Sequence, residues 1–186
     1  MLVAVVLLTL AACGSGKPSA SSATTSGLVT PTGGAGETST TDLPFTGSAA
    51  PVATPDSATP ATLVHVDIGV HDGFERIVFR FADHVPGIRI QPSPGPFAED
   101  GSDKPVHVGG TAWLALRMTA NGHDSYGTSA VAMRTKGAKG HSVVELVRTG
   151  DLEGVLSFVI GLEAPQTFRV LQVGNPPRIV VDIASR

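Results

Sequence analysis

Six histidines and a scatter of carboxylates put metal binding first among the chemistries this chain could carry. His65-x-Asp67 sets two ligand types at i and i+2, on one side of an extended chain, and His71-Asp72 and His123-Asp124 add adjacent pairs. A stable zinc site needs three or four convergent ligands, and the sequence has neither an HExxH helix nor paired cysteines. These residues read as solvent-facing polar groups, and no metal or other cofactor is expected. Nucleophilic catalysis has less support. There is no G-x-S-x-G, and His123-Asp124-Ser125 is a consecutive run whose side chains cannot line up as nucleophile, base and orienter. A carboxylate pair for glycoside hydrolysis could be drawn from the acids after residue 60, but no spacing singles out any two. No catalytic residue is assigned, and the chain reads as a non-enzyme.

Binding chemistry is better represented. Sugars are held by aromatic rings that stack on their apolar face, with hydrogen-bonding groups nearby for the hydroxyls. Trp113 alternates with Leu114, Leu116 and Met118 and so shares a side with Arg117. Its competing use is as partly covered sandwich filling. Tyr126 lies in a polar stretch among His123, Asp124 and Ser125, where exposure is expected. Arg76 and Arg178 open two similar segments and could bind carboxylates, or instead pair with Glu75, Asp182 or Glu153 to fasten strands. The candidate ligand-binding set is therefore Trp113, Arg117, Tyr126, Arg76 and Arg178.

The elements that must position these side chains repeat with period two. Val64, Val66 and Ile68 alternate with His65 and Asp67, and Ile77, Phe79 and Phe81 alternate with Arg76, Val78 and Arg80. Further short apolar runs, at 88–91, 106–108, 142–147, 155–162, 167–173 and 178–183, are each bounded by Gly, Pro, Asp or Asn. No amphipathic helical stretch of useful length occurs. Eight or nine short, mostly antiparallel strands without covering helices predict an all-β domain, and a β-sandwich is the economical architecture. Two sections, 92–104 and 119–140, resist strand assignment and read as long loops. Arg76-Ile77-Val78-Phe79 echoes Arg178-Ile179-Val180-Val181, so these two strands are expected to pair or face each other.

Length and composition set the frame around that domain. The chain has 186 residues with 22 Gly and 14 Pro, and the apolar content is unevenly placed. From residue 14 to 60, 38 of 47 residues are Gly, Ser, Thr, Ala or Pro, too few apolar groups for a core, so 13–60 reads as a disordered linker and 61–186 as one globular domain. A net charge of −3 gives no electropositive footprint, and nucleic acid is excluded as a partner. Residues 2–12 (LVAVVLLTLAA) are apolar but shorter than the ~20 residues a membrane span requires, and read as a signal-peptide core, 1–12. The usual leading Lys or Arg is missing, so a start upstream of Met1 is expected. Leu10-Ala11-Ala12-Cys13 resembles the lipobox of bacterial lipoproteins, which implies lipidation at Cys13, an anchor in the outer face of the cytoplasmic membrane, and export to the envelope. Leu43-Pro44-Phe45-Thr46-Gly47 matches the sortase pattern but is followed by linker and a whole domain where a sorting signal needs an apolar helix and a basic tail. It reads as a chance match.

The globular part carries a second resemblance. Gly73-Phe74-Glu75-Arg76-Ile77-Val78-Phe79, Gly150-Asp151-Leu152-Glu153-Gly154, Phe168-Arg169-Val170 and Pro177-Arg178-Ile179-Val180-Val181-Asp182-Ile183 resemble the AMIN-like domain of actinobacterial secreted and lipid-anchored proteins, over about residues 62–184. The resemblance implies a β-sandwich of the cell envelope that binds peptidoglycan or another cell-wall polymer, or an envelope protein, without catalysis. Two further roles stay open: a scaffold that recruits a partner by strand addition at a sheet edge, and a cell-wall hydrolase.

Overall fold

The structure, a computed structural model, describes residues 45–185. The apolar segment 2–12, Cys13 and the linker as far as residue 44 lie outside the described residues. In chain order the strands are β1 (Val52–Ala53), β2 (Ala61–His71), β3 (Phe74–Phe81), β4 (Ile88–Pro92), β5 (Phe97–Ala98), β6 (Pro105–Val106), β7 (Ala112–Met118), β8 (Ala120–Asn121), β9 (Arg134–Lys136), β10 (Val143–Leu152), β11 (Val155–Leu162), β12 (Phe168–Gly174) and β13 (Pro177–Ala184). Eight of them have five or more residues, and these coincide with the segments whose hydrophobicity alternates or runs unbroken. They form a six-stranded sheet, β1-β4-β7-β11-β10-β9, and a five-stranded sheet, β12-β13-β3-β2-β8. All pairings are antiparallel except the short β2–β8 contact.

The alternation decides the layering. Ile77, Phe79 and Phe81 from β3 and Ile179, Val181 and Ile183 from β13 turn inward, and meet Leu114, Leu116 and Met118 of β7 and Leu156, Phe158, Ile160 and Leu162 of β11. Phe79 and Phe158 touch across the core with ring centroids 5.4 Å apart. Each such fully buried large side chain contributes about 1.5–3 kcal/mol by leaving water. The two echoing segments do pair: β13 lies beside β3 with Asp182 opposite Arg76 and Arg178 opposite Arg80.

The structure differs from the sequence expectations in four places. Val64 does not share the inward face of Val66 and Ile68. A bulge between Leu63 and His65 sends Leu63 into the core and leaves Val64 45% exposed. The section 92–104 is not a bare loop, because β5 and β6 pair as a small arm folded on the outside of the six-stranded sheet. Within 119–140 two short strands, β8 and β9, join sheet edges. Residues 45–60, assigned by composition to the linker, form a strap on the sandwich. Ser48 bridges Phe168 at the edge of β12, β1 then pairs with β4, and the strap thereby crosses from one sheet to the other. Composition misses this because the strap needs no core of its own. It borrows backbone partners from exposed strand edges and contributes one aromatic, Phe45, stacked on Phe74 at 5.9 Å.

The β10–β11 hairpin turns on Glu153-Gly154, both at positive φ (53° and 76°), the type I′ geometry that suits twisted strands. A Cβ on Gly154 would also lie 2.5 Å from Cγ of Pro60, so the strap's end reaches this turn.

Candidate ligand-binding site

Alternation that sends Leu114, Leu116 and Met118 inward puts Trp113, Ala115 and Arg117 of β7 on the outer face of the six-stranded sheet. The same parity on β4 puts Arg89 and Gln91 outward, and the register sets Arg89 opposite Arg117 and Gln91 opposite Ala115. Both guanidiniums are exposed. One flank of this face is covered by the arm. Phe97 meets Trp113 edge-on at 6.0 Å, the indole Nε1–H donates to the Val108 carbonyl at 3.1 Å, and Val108, Val147 and Val159 complete a small second core. Trp113 thus fastens the arm while staying half-exposed.

Hollows lie toward both ends of β7. Beside Trp113 is one of about 490 Å³, lined by Pro92, Pro94 and Pro165, by the polar Ser93, Thr111 and Gln166, and by Ala49 from the strap. At the other end, Arg89, Arg117, Thr119 and Asp56 of the strap line a hollow of about 190 Å³, and Arg117 and Val155 also line its neighbour of about 390 Å³, with Asp100, Asp103 and Glu153. An apolar ring and prolines with hydroxyl and amide groups at the rim suit a sugar ring, and arginines suit an oxyanion. Arg89 went unremarked in the sequence, although Ile88-Arg89-Ile90-Gln91 already fixes its outward parity. Its meeting with Arg117 depends on strand pairing, which no local pattern encodes.

The root of the arm is held by Glu145, a carboxylate only 1% exposed. It accepts from the Gly109 amide at 2.7 Å, from Lys136 Nζ and from Arg134, and Arg134 also donates to the His107 carbonyl at 2.8 Å. Burial pushes its pKa up, but the bonds from Arg134, Gly109 and Lys136 outweigh it and hold the value at about 2, below the ordinary 4.5.

The other candidates do not join Trp113 and Arg117. Arg76 and Arg178 lie on the outer face of the five-stranded sheet, the opposite side of the sandwich, so the five predicted residues do not form one patch. Both are buried, at 6% and 7% exposure. Arg76 makes a two-pronged pair with Asp182, Nε to Oδ1 at 2.7 Å and NH2 to Oδ2 at 2.9 Å, and Arg169 Nε donates to the same carboxylate at 2.8 Å. Phe74 lies under both guanidiniums. For Arg76 this is the strand-fastening use, with Asp182 as partner. Tyr126 is 92% exposed on a turn whose amides bond to the Asp124 carboxylate, away from the hollows along β7.

Two of the histidines that the spacing singles out find carboxylate partners. His65 and Asp67 point the same way, as their spacing requires, and bond to each other at 2.9 Å, with Arg80 on the second carboxylate oxygen. His123 Nδ1 lies 2.9 Å from Asp151 Oδ2. Among the described residues no three metal-ligating groups converge.

The domain is thus a two-sheet antiparallel sandwich with ion pairs fastening the outer face of one sheet and hollows along the outer face of the other. Its family follows from comparison with known proteins: a family model for the AMIN-like domain matches residues 61–185, and the chain belongs to that family. AMIN-like domains are associated with binding at the cell wall, in the envelope outside the cytoplasm. No curated protein and no solved structure matches the chain.

Proposed function

We propose that this protein is an envelope lipoprotein, anchored through an acylated Cys13, whose AMIN-like sandwich binds peptidoglycan without cleaving it. The observation that carries the reading is the hollow beside Trp113. In it a half-exposed indole, three prolines and three hydrogen-bonding side chains line a space large enough for a sugar ring. Arg117, four residues further along the same face of β7, extends the surface by roughly 13 Å. Arg76, Arg178 and Tyr126 drop out of the proposed site, the first two for lack of exposure and Tyr126 for lack of neighbours in the hollows.

Strand addition has weaker support. The edge of β12 begins with Phe168, whose backbone amide and carbonyl are both taken by Ser48 of the strap.

The binding half is tested by sedimenting the protein with purified peptidoglycan. Retention is expected for the wild type and is expected to fall several-fold for Trp113→Ala. Retention untouched by Trp113→Ala removes the site, and absence of any retention removes the ligand. The anchoring half is tested separately: Cys13→Ser is expected to move the exported protein from the membrane fraction to the soluble one.

A further inference from the structure

We propose that Arg89 and Arg117 form a carboxylate clamp that takes an acidic group of the wall polymer's peptide stem. The proposal deepens the peptidoglycan reading above and rests on it.

The observation is a like-charge pair directly opposed across two strands, with no acid closing on either member. The register of β4 and β7 puts Arg89 directly opposite Arg117, on the outward face, and directly opposed residues have Cβ atoms about 4.5–5.5 Å apart. Two cations at that separation repel and weaken the strand pair. Elsewhere on this molecule acids answer Arg76 and Arg169 (Asp182) and Arg134 (Glu145), and in the other directly opposed pair, Arg80 and Arg178, Asp67 answers Arg80. Arg89 and Arg117 are different. Among the described residues neither guanidinium donates a hydrogen bond or closes an ion pair, although Asp56 lines the same hollow. That carboxylate is engaged by the Thr119 hydroxyl at 3.2 Å, and Asp100, in the adjoining hollow, accepts from Ser157 at 2.6 Å. Two planar donor forks are thus left facing a hollow of about 190 Å³.

The geometry selects a carboxylate. A guanidinium matches the two oxygens of a carboxylate with parallel N–H donors, and a second one opposite it can hold the same group from the other side. Phosphate oxygens would match as well, but a phosphodiester polymer brings repeated negative charge past Asp56, Asp100, Asp103 and Glu153, which line these hollows. A short peptide brings fewer negative charges past those acids than a phosphodiester chain does. The carboxylate's position also fits, since a glycan ring at Trp113 and a stem carboxylate at Arg117 would be separated by roughly 13 Å along β7.

The test is titration calorimetry of the full chain with soluble disaccharide–peptide fragments of peptidoglycan, with the peptide carboxylates either free or converted to amides. The wild type is expected to bind the free form about tenfold more tightly, the scale of one charge-assisted contact. The Arg89→Gln/Arg117→Gln double variant is expected to bind both forms alike, at the affinity the wild type shows for the amide. Its melting temperature is expected not to fall, because an opposed pair of like charges has been removed. Equal binding of free and amidated fragments by the wild type overturns the clamp and leaves the peptidoglycan reading intact. So does retention on whole peptidoglycan with neither fragment bound, or displacement of the free fragment by a phosphodiester wall polymer. A preference for the free form that persists in the double variant places the carboxylate elsewhere and also overturns it. A wild type that binds neither fragment nor whole peptidoglycan removes both proposals together.

Discussion

Asp182 fastens three strands of the five-stranded sheet to one another. It is fully buried, and both of its oxygens are occupied by guanidiniums from neighbouring strands, Arg76 on β3 and Arg169 on β12. A buried pair contributes little over an apolar substitute, but removing the shared anion takes the main counter-charge from the cations it holds. Asp182→Ala is therefore expected to lower stability by about 3–5 kcal/mol, read from the shift in denaturation midpoint. Asp182→Asn is expected to cost nearly as much, because two cations remain buried against a neutral amide. Glu145 makes a different prediction, in pH. Its folded pKa of about 2 lies below the ordinary 4.5, so its contribution is complete above pH 4.5 and is lost as pH falls through about 2. Melting temperatures measured from pH 6 down to pH 2 should show an acid-side loss on the order of 2–3 kcal/mol that Glu145→Gln abolishes.

At the scale of elements, the strands long enough to bury a face were legible. Ile77-Phe79-Phe81 and Leu114-Leu116-Met118 could sit only one way once a core existed, and they sit that way. The short pieces were not legible. Val52–Ala53, Phe97–Ala98 and Ala120–Asn121 are two residues each, and they are strands because an exposed edge or an apolar surface is there to receive them. Tertiary context, absent from a local window, makes them. The bulge at Val64 is the same lesson within a long strand, since the alternation slips by one residue without any Gly or Pro to announce it. The candidate site was half legible for a related reason. Parity showed that Trp113 and Arg117 share a face, but antiparallel pairing put Arg76 against Asp182 and Arg178 against Arg80, so two arginines that look equivalent in sequence have different neighbours. Nothing in either segment encodes that register.

For the molecule as a whole, the strap makes the folded unit larger than the family's domain. The family match begins at residue 61, yet residues 45–60 join both sheets and wall both ends of the candidate site, Ala49 beside Trp113 and Asp56 beside the arginines. Phe45 stacks on Phe74 and lies against Arg169, covering the Asp182 network from outside. Backbone bonds Ser48 to Phe168 and Thr54 to Ile88 add to this, each contributing about 0.5–1.5 kcal/mol net. A chain beginning at Ala61 is therefore expected to fold with stability lower by about 2 kcal/mol or more, and to lose retention on peptidoglycan along with the walls of the hollows. Gly87→Ala gives a second route to the same state in the intact chain. A Cβ there would lie 2.4 Å from the Pro55 carbonyl oxygen, so the strap must lift where it passes β4. If the strap is part of the binding unit, the truncated chain and the Gly87→Ala variant should lose thermal stability and retention together. If both keep wild-type retention while melting earlier, the strap is only a brace and the binding face is complete without it.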